Sequence, residues 1–176
     1  MQKRIFIGVP LPSALQNEIE NWTNSFLEND IRWVKGDSLH ITLLPPWYVD
    51  DFDDVVKKLN QADIKNEVIE INLKEIMFGP NPKRPRFIWV CGDQPNDLIK
   101  IKEKLEHIFK IRSEFKPWKM HVTLGRFEDK NFREFKIKDL HAKVNWKYIA
   151  QSIALYESQS SKEGTEYKVI KAFPII

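Results

Sequence analysis

Apolar and polar positions along the chain alternate in some stretches and recur at helical spacing in others, and the two periods divide it into elements. Arg4 to Leu11 is an apolar run that reads as a buried strand. Pro12-Ser13 opens a helix to about Glu28, whose Leu15, Ile19, Trp22 and Phe26 share one face. Ile31 to Val34 reads as a short strand, Gly36-Asp37 as a turn, and Leu39 to Leu44 as a strand that Pro45-Pro46 is expected to end. Asp50 to Leu59 is predicted helical, with an acidic first turn and Lys57-Lys58 near its end. Val68 to Phe78 alternates as a long strand, and Pro85 to Gly92 reads as an apolar strand after a proline-rich loop. Asp97 to Ile111 is an amphipathic helix, with His107 outside its apolar stripe and therefore read as solvated. Met120 to Phe127 is a strand, and Trp146 to Ser158 and Tyr167 to Phe173 form a closing strand pair across Glu163-Gly164.

Helices and strands mix in an order with no proline- or glycine-rich linker, so residues 1–176 are read as one α+β domain with antiparallel sheets. At 42% apolar and 30% charged, the composition is that of a soluble globular protein. A net charge of +3 suits an anionic ligand but falls short of a duplex-DNA binder. The single cysteine, Cys91, lies in an apolar run and is read as a small buried hydrophobe, which leaves no internal disulfide. The N-terminal apolar run, Ile5 to Leu11, is too short for a signal or membrane span, so a cytoplasmic, monomeric protein without membrane contact is expected.

The chemistry concentrates in a tetrad that occurs twice, His40-Ile41-Thr42-Leu43 and His121-Val122-Thr123-Leu124. Side chains at i and i+2 of a strand share a face, so each copy aims a histidine and a threonine into one space while its apolar residues face a core. The chain has four histidines and four threonines, and half of each lie in these tetrads. Two converging histidines supply a general base and a general acid near neutral pH, and two threonine hydroxyls can donate to anionic oxygens. That set suits a phosphodiester. Arg126 adds a cation, but at an odd offset from His121 it belongs on the opposite face unless twist, its long reach or a bulge near Gly125 redirects it. The histidine spacing lacks zinc-ligand patterns, and neither a glycine-rich phosphate loop nor a nucleophile elbow is present. Metal-free acid–base catalysis without a cofactor remains. Lys83-Arg84-Pro85-Arg86 beside Phe87 and Trp89 reads as a solvated strand edge or as a phosphate and base contact. Trp47 and Tyr48 either wall the pocket or pack elsewhere.

The paired tetrads resemble the signature of the two-histidine phosphoesterases, and more closely the LigT/ThpR-like RNA 2′,3′-cyclic phosphodiesterases, also called 2′-5′ RNA ligases. The likeness extends over Arg4 to Pro12, Ile31 to Val34, Arg84 to Val90, the segment to Arg126, and the closing Tyr156, Gly164, Tyr167 and Phe173-Pro174. The resemblance implies a bilobal fold of two pseudo-symmetric halves, one tetrad each, flanked by helices around a central cleft. It implies metal-independent opening of 2′,3′-cyclic phosphates on RNA ends, or on small cyclic-phosphate nucleotides, to 2′-phosphomonoesters. Carried over by position, His40 is the proton donor and His121 the proton acceptor, with Thr42, Thr123 and Arg126 binding the phosphate. One departure stands out: Leu44-Pro45-Pro46-Trp47 replaces the family's frequent Lys-Phe-Leu-Gly. The alternatives are 2′-5′ RNA joining, cleavage of another cyclic nucleotide or ADP-ribose phosphate, and a non-catalytic nucleotide- or RNA-binding module.

Overall fold

The computed structural model describes residues 1–65, 68–113, 116–161 and 164–176. Over these residues the chain runs through β1 (Lys3–Pro10), α1 (Ser13–Ser25), β2 (Arg32–Trp33), β3 (His40–Val49), α2 (Asp53–Gln61), β4 (Ile69–Gly79) and β5 (Phe87–Gly92). It continues through α3 (Asn96–Phe109), β6 (His121–Arg126), α4 (Asp129–Glu134), β7 (His141–Ala150), β8 (Ser152–Ser161) and β9 (Gly164–Pro174). The strands pair antiparallel in one sheet ordered β7-β4-β5-β6-β3-β1-β8-β9, with β2 laid against β6. The fold is α+β. Its two halves are built alike. The motif strands β3 and β6 lie side by side at the centre, each flanked by three more strands, and each closes a strand–helix–strand unit, β1-α1-β3 or β5-α3-β6. The sheet curls: Tyr148 on β7 and Tyr156 on β8, with five strands between them in the sheet order, come within electrostatic range of each other.

Period-two patterning decides which face does what. Ile5, Ile7, Val9, Ile41, Leu43, Val122 and Leu124 are fully excluded from solvent and pack with Leu15 and Ile19 of α1 and Leu98, Ile101 and Leu105 of α3. Each such side chain contributes about 1.5–3 kcal/mol through burial, which fixes the register of the central strands. A slip of one residue would expose all of them. The residues between them, Phe6, His40, Thr42, His121 and Thr123, face the other way and line a cavity.

Two expectations are corrected. Pro45-Pro46 does not end β3, which continues to Val49. Its pairing with β1 shifts register between Ile7↔Leu44 and Ile5↔Trp47, so Pro45 and Pro46 together stand opposite Phe6 in a bulge, the kind of place in a sheet where proline is tolerated. The stretch 146–158 is not one strand but parts of two: β7 ends at Ala150 beside β4, and β8 starts at Ser152 beside β1, at the other side of the sheet. The first half of β7, His141–Asn145, has no buried side chain and so carries no apolar signal. The six-residue α4 was also hidden, because it is held by reciprocal capping between Glu128 and Asn131 rather than by an apolar stripe. The strand pair β8–β9 is present, but Glu163 of its connection lies outside the described residues.

Candidate active site

β3 and β6 meet at one paired position, Ile41↔Val122. Continuing that antiparallel register sets His40 beside Thr123 and Thr42 beside His121 on the opposite face, so the two tetrads form a two-fold array. Both imidazoles are held the same way. His40 Nδ1 lies 2.7 Å from the Ser38 carbonyl and His121 Nδ1 lies 2.8 Å from the Lys119 carbonyl. A carbonyl only accepts, so each Nδ1 donates and each neutral ring presents an Nε2 lone pair. His40 Nε2 accepts from the Thr42 hydroxyl at 3.1 Å. The rings are also braced by aromatics. Phe6 and Tyr156 lie 4.6 and 5.3 Å from the His40 ring, and Trp89 stacks on His121 at 3.9 Å.

Arg126 reaches the same face through a bulge. Trp89 pairs with Thr123 but Ile88 pairs with Gly125, so β6 carries one extra residue between them. Leu124 and Gly125 both turn to the core side, and Arg126, opposite Phe87, returns to the cavity. Only glycine fits at 125: a Cβ there would stand 2.7 Å from Ile31 Cγ2 and 2.8 Å from Trp33 Cε3, where β2 crosses. Arg126 Nη2 donates to the Tyr167 hydroxyl, while its Nε is buried without a hydrogen-bond partner among the described residues. A buried cationic donor left unpaired is costly, and an anion in the cavity would pair it.

The cavity, about 300 Å³, brings together all five residues singled out from the sequence: His40, Thr42, His121, Thr123 and Arg126. It separates the remaining candidates. Of the basic run, Arg86 lines the cavity and Lys83 and Arg84 do not; Phe87 and Trp89 line it too, with the Arg86 and Arg126 guanidiniums 5.7 and 6.0 Å from the centre of the Phe87 ring. Trp47 packs on Phe109 and Tyr48 is 62% exposed, so neither walls the cavity; Pro45 and Pro46 do. His107 is exposed on α3 and Cys91 is buried. Sequence reasoning assigned no chemical role to Tyr167, Phe6 or Arg4, all of which line the cavity. For Phe6 a signal existed, since it alternates with Ile5 and Ile7 and must face away from them. For Tyr167 there was none, because nothing local shows that β9 packs beside His40.

Burial is the main force on both histidines. Loss of solvation pulls His40 down to about 4; its carbonyl partner at Ser38 opposes this, and the charges of Arg126 and His121 add to it. Burial likewise lowers His121, against the Lys119 carbonyl and with the Lys119 charge. In the free protein at neutral pH both rings are therefore neutral. Among the described residues, no three His, Cys, Asp or Glu side chains gather as a metal-binding group.

Two similarly held imidazoles stand on paired central strands of an antiparallel α+β sheet. The sequence model of the 2′-5′ RNA ligase superfamily matches residues 11–162, and the chain belongs to that family. An RNA 2′,3′-cyclic phosphodiesterase of Methanocaldococcus jannaschii is 31% identical over 96% of this chain and 98% of its own. One from Archaeoglobus fulgidus is 22% identical over 97% and 99%. Among solved structures, Escherichia coli LigT complexed with 3′-AMP superposes with a TM-score of 0.78 at 20% identity over 99% of both chains. The protein TT0787 of Thermus thermophilus gives 0.79 at 19% identity, over 98% of this chain and 97% of that one. No helix among the described residues is long and apolar enough to cross a membrane.

Proposed function

We propose that the protein is a metal-independent RNA 2′,3′-cyclic phosphodiesterase that leaves a 2′-phosphomonoester and a free 3′-hydroxyl. The observation that carries this reading is the pair of imidazoles, each anchored through Nδ1 to a backbone carbonyl, beside a buried guanidinium N–H that has no partner among the described residues. His121 Nε2 takes a proton from water as the water oxygen attacks phosphorus. The bond from phosphorus to the ribose 3′ oxygen breaks, and His40 supplies the proton that makes it a hydroxyl. Thr42, Thr123 and Arg126 hold the non-bridging oxygens as charge builds on them. The curated relatives support the substrate class. The same groups run in reverse would join RNA ends through a 2′-5′ linkage, so product analysis is the deciding readout.

A short RNA ending in a 2′,3′-cyclic phosphate should be converted, in the presence of EDTA, to a product that co-migrates with the authentic 2′-phosphate. Accumulation of the 3′ isomer, or turnover abolished by EDTA, would overturn the proposal.

The pH dependence follows from the same site. The acid must be protonated and the base neutral, and both histidines sit below the ordinary value of 6.5 in the free protein. The kcat/KM profile should therefore be a bell with both limbs below about 6.5, falling as pH rises through neutrality. A phosphodiester anion on Arg126 offsets the charge that lowers His40, so its proton is held more tightly in the complex. The limb that His40 governs should then lie at higher pH in kcat than in kcat/KM. Coincident limbs, or a kcat/KM profile flat from about pH 5 to 9, would contradict the dyad.

A further inference from the structure

The cavity at the histidines does not end in open solvent on every side. Ser113 and Trp118 also line a second, larger groove of about 740 Å³ beside the C-terminal half of α3. Ligand sites span about 300–1,000 Å³, so this groove is on the scale of one or two nucleotides. We propose that it holds the single-stranded RNA leading 5′ from the cyclic phosphate end, an inference that rests on the activity proposed above.

Three features point to RNA. The first is charge: among the described residues, the groove is lined by four cationic side chains, Lys102, Lys110, Arg112 and Lys116, against the two carboxylates of Glu103 and Glu106. Only Lys102 among those cations is in an ion pair with a described residue, and Lys110, Arg112 and Lys116 are all exposed. Free cations along a groove are what a phosphate backbone neutralises. The second is rigidity at the junction. Glu106 binds Lys102 Nζ at 2.6 Å and accepts from the Ser113 N–H at 2.9 Å and hydroxyl at 3.1 Å, which ties Ser113 to α3. Lys102 is itself buried, and its Nζ sits 5.4 Å from the centre of the Trp118 ring, so the indole is held at the border of the two cavities. A half-buried indole in that place offers a face on which a base can stack, a contact tolerant of sequence. The third is continuity: Ser113 and Trp118 line both cavities, so a strand whose end sits at the histidines can pass directly into the groove. The terminal ring binds at the histidines; the groove reads length and backbone charge.

The test compares two substrates with one variant, Lys110→Ala, Arg112→Ala and Lys116→Ala combined, none of which lines the histidine cavity. Cytidine 2′,3′-cyclic phosphate reaches only the histidines, whereas an eight-nucleotide RNA with the same end spans both sites. The variant should raise KM for the RNA by about 10-fold or more and leave kinetics on the mononucleotide unchanged. Single-stranded nucleic acid loses about 0.7 of salt slope per phosphate contact, so the slope of log kcat/KM against log salt should fall by about 2 for the RNA alone. An unchanged KM for the RNA, or an equal loss on both substrates, would overturn the groove. Binding of an unreactive fluorescent RNA with a 3′-phosphate end, read by anisotropy, separates this from failure of the catalytic reading. If the wild-type protein turns over neither substrate but binds that RNA more tightly than the variant does, the activity is wrong and the groove stands; equal binding by both removes the groove.

Discussion

Replacing His40 or His121 by alanine should lower kcat/KM for an RNA 2′,3′-cyclic phosphate by on the order of 10²–10⁴, the usual contribution of one positioned acid or base. The losses should not add. Once one partner of the proton relay is gone, the other has little left to do, so the double variant should sit close to the worse single one. Folding should survive both changes, because neither imidazole is fully buried and each is neutral at pH 7. A melting temperature within a few degrees of wild type, together with the loss of rate, would locate the effect in the chemistry. Full activity of either alanine variant would remove that histidine from the mechanism. A second discrimination comes from the substrate: a leaving group that needs no protonation, such as nitrophenolate, should rescue loss of the acid but not of the base. Rescue of His40→Ala alone assigns the donor to His40; rescue of His121→Ala alone reverses the roles.

How much of this site could be read from the sequence follows from the period of a strand. His40 and Thr42, and His121 and Thr123, were legible because i and i+2 share a face wherever strand geometry is regular, and the apolar residues between them are fully buried. Arg126 was legible only as a condition. Its odd offset contradicted a role at the site, and the bulge opposite Ile88 and Trp89 resolves the contradiction. A bulge leaves little trace in sequence beyond a glycine such as Gly125. β3 has the same device, with Leu43 and Leu44 both turned to the core between the pairs Gly8↔Thr42 and Ile7↔Leu44. Each tetrad is thus followed by an extra residue, which makes the two halves more alike than their sequences suggest. Leu44, which stands where the family often has lysine, is fully buried on the core side. A lysine there on this backbone would not face the cavity. Of the aromatic braces, Phe6 was legible only in the face it presents, and Tyr156 and Tyr167 not at all: the three come from β1, β8 and β9, and only the sheet order brings them to His40.

The two halves differ where it matters for charge. Five residues beyond His121 stands Arg126; five residues beyond His40 stands Pro45, which also lines the cavity. The site therefore has one motif-borne guanidinium rather than a symmetric pair. Arg126→Ala should reduce kcat/KM by about 10²–10³, the range seen when one charged or oxyanion-binding donor is removed. Arg126→Lys should recover only part of it, since an ammonium cannot repeat the planar fork that reaches phosphate oxygens and Tyr167 together. Tyr167→Phe, which frees the guanidinium without removing it, should raise KM several-fold and leave kcat nearly intact. The pH profile tells electrostatics from packing. Arg126 is one of the charges that lowers His40, so its removal lets the His40 pKa rise towards its ordinary value and moves the limb of kcat/KM that His40 governs to higher pH. A variant that had merely loosened the cavity would lose rate with the limb in place. Arg126→Ala with wild-type kcat/KM would show that phosphate is held elsewhere, and the remaining guanidiniums of the cavity, Arg4 and Arg86, would be the next residues to replace.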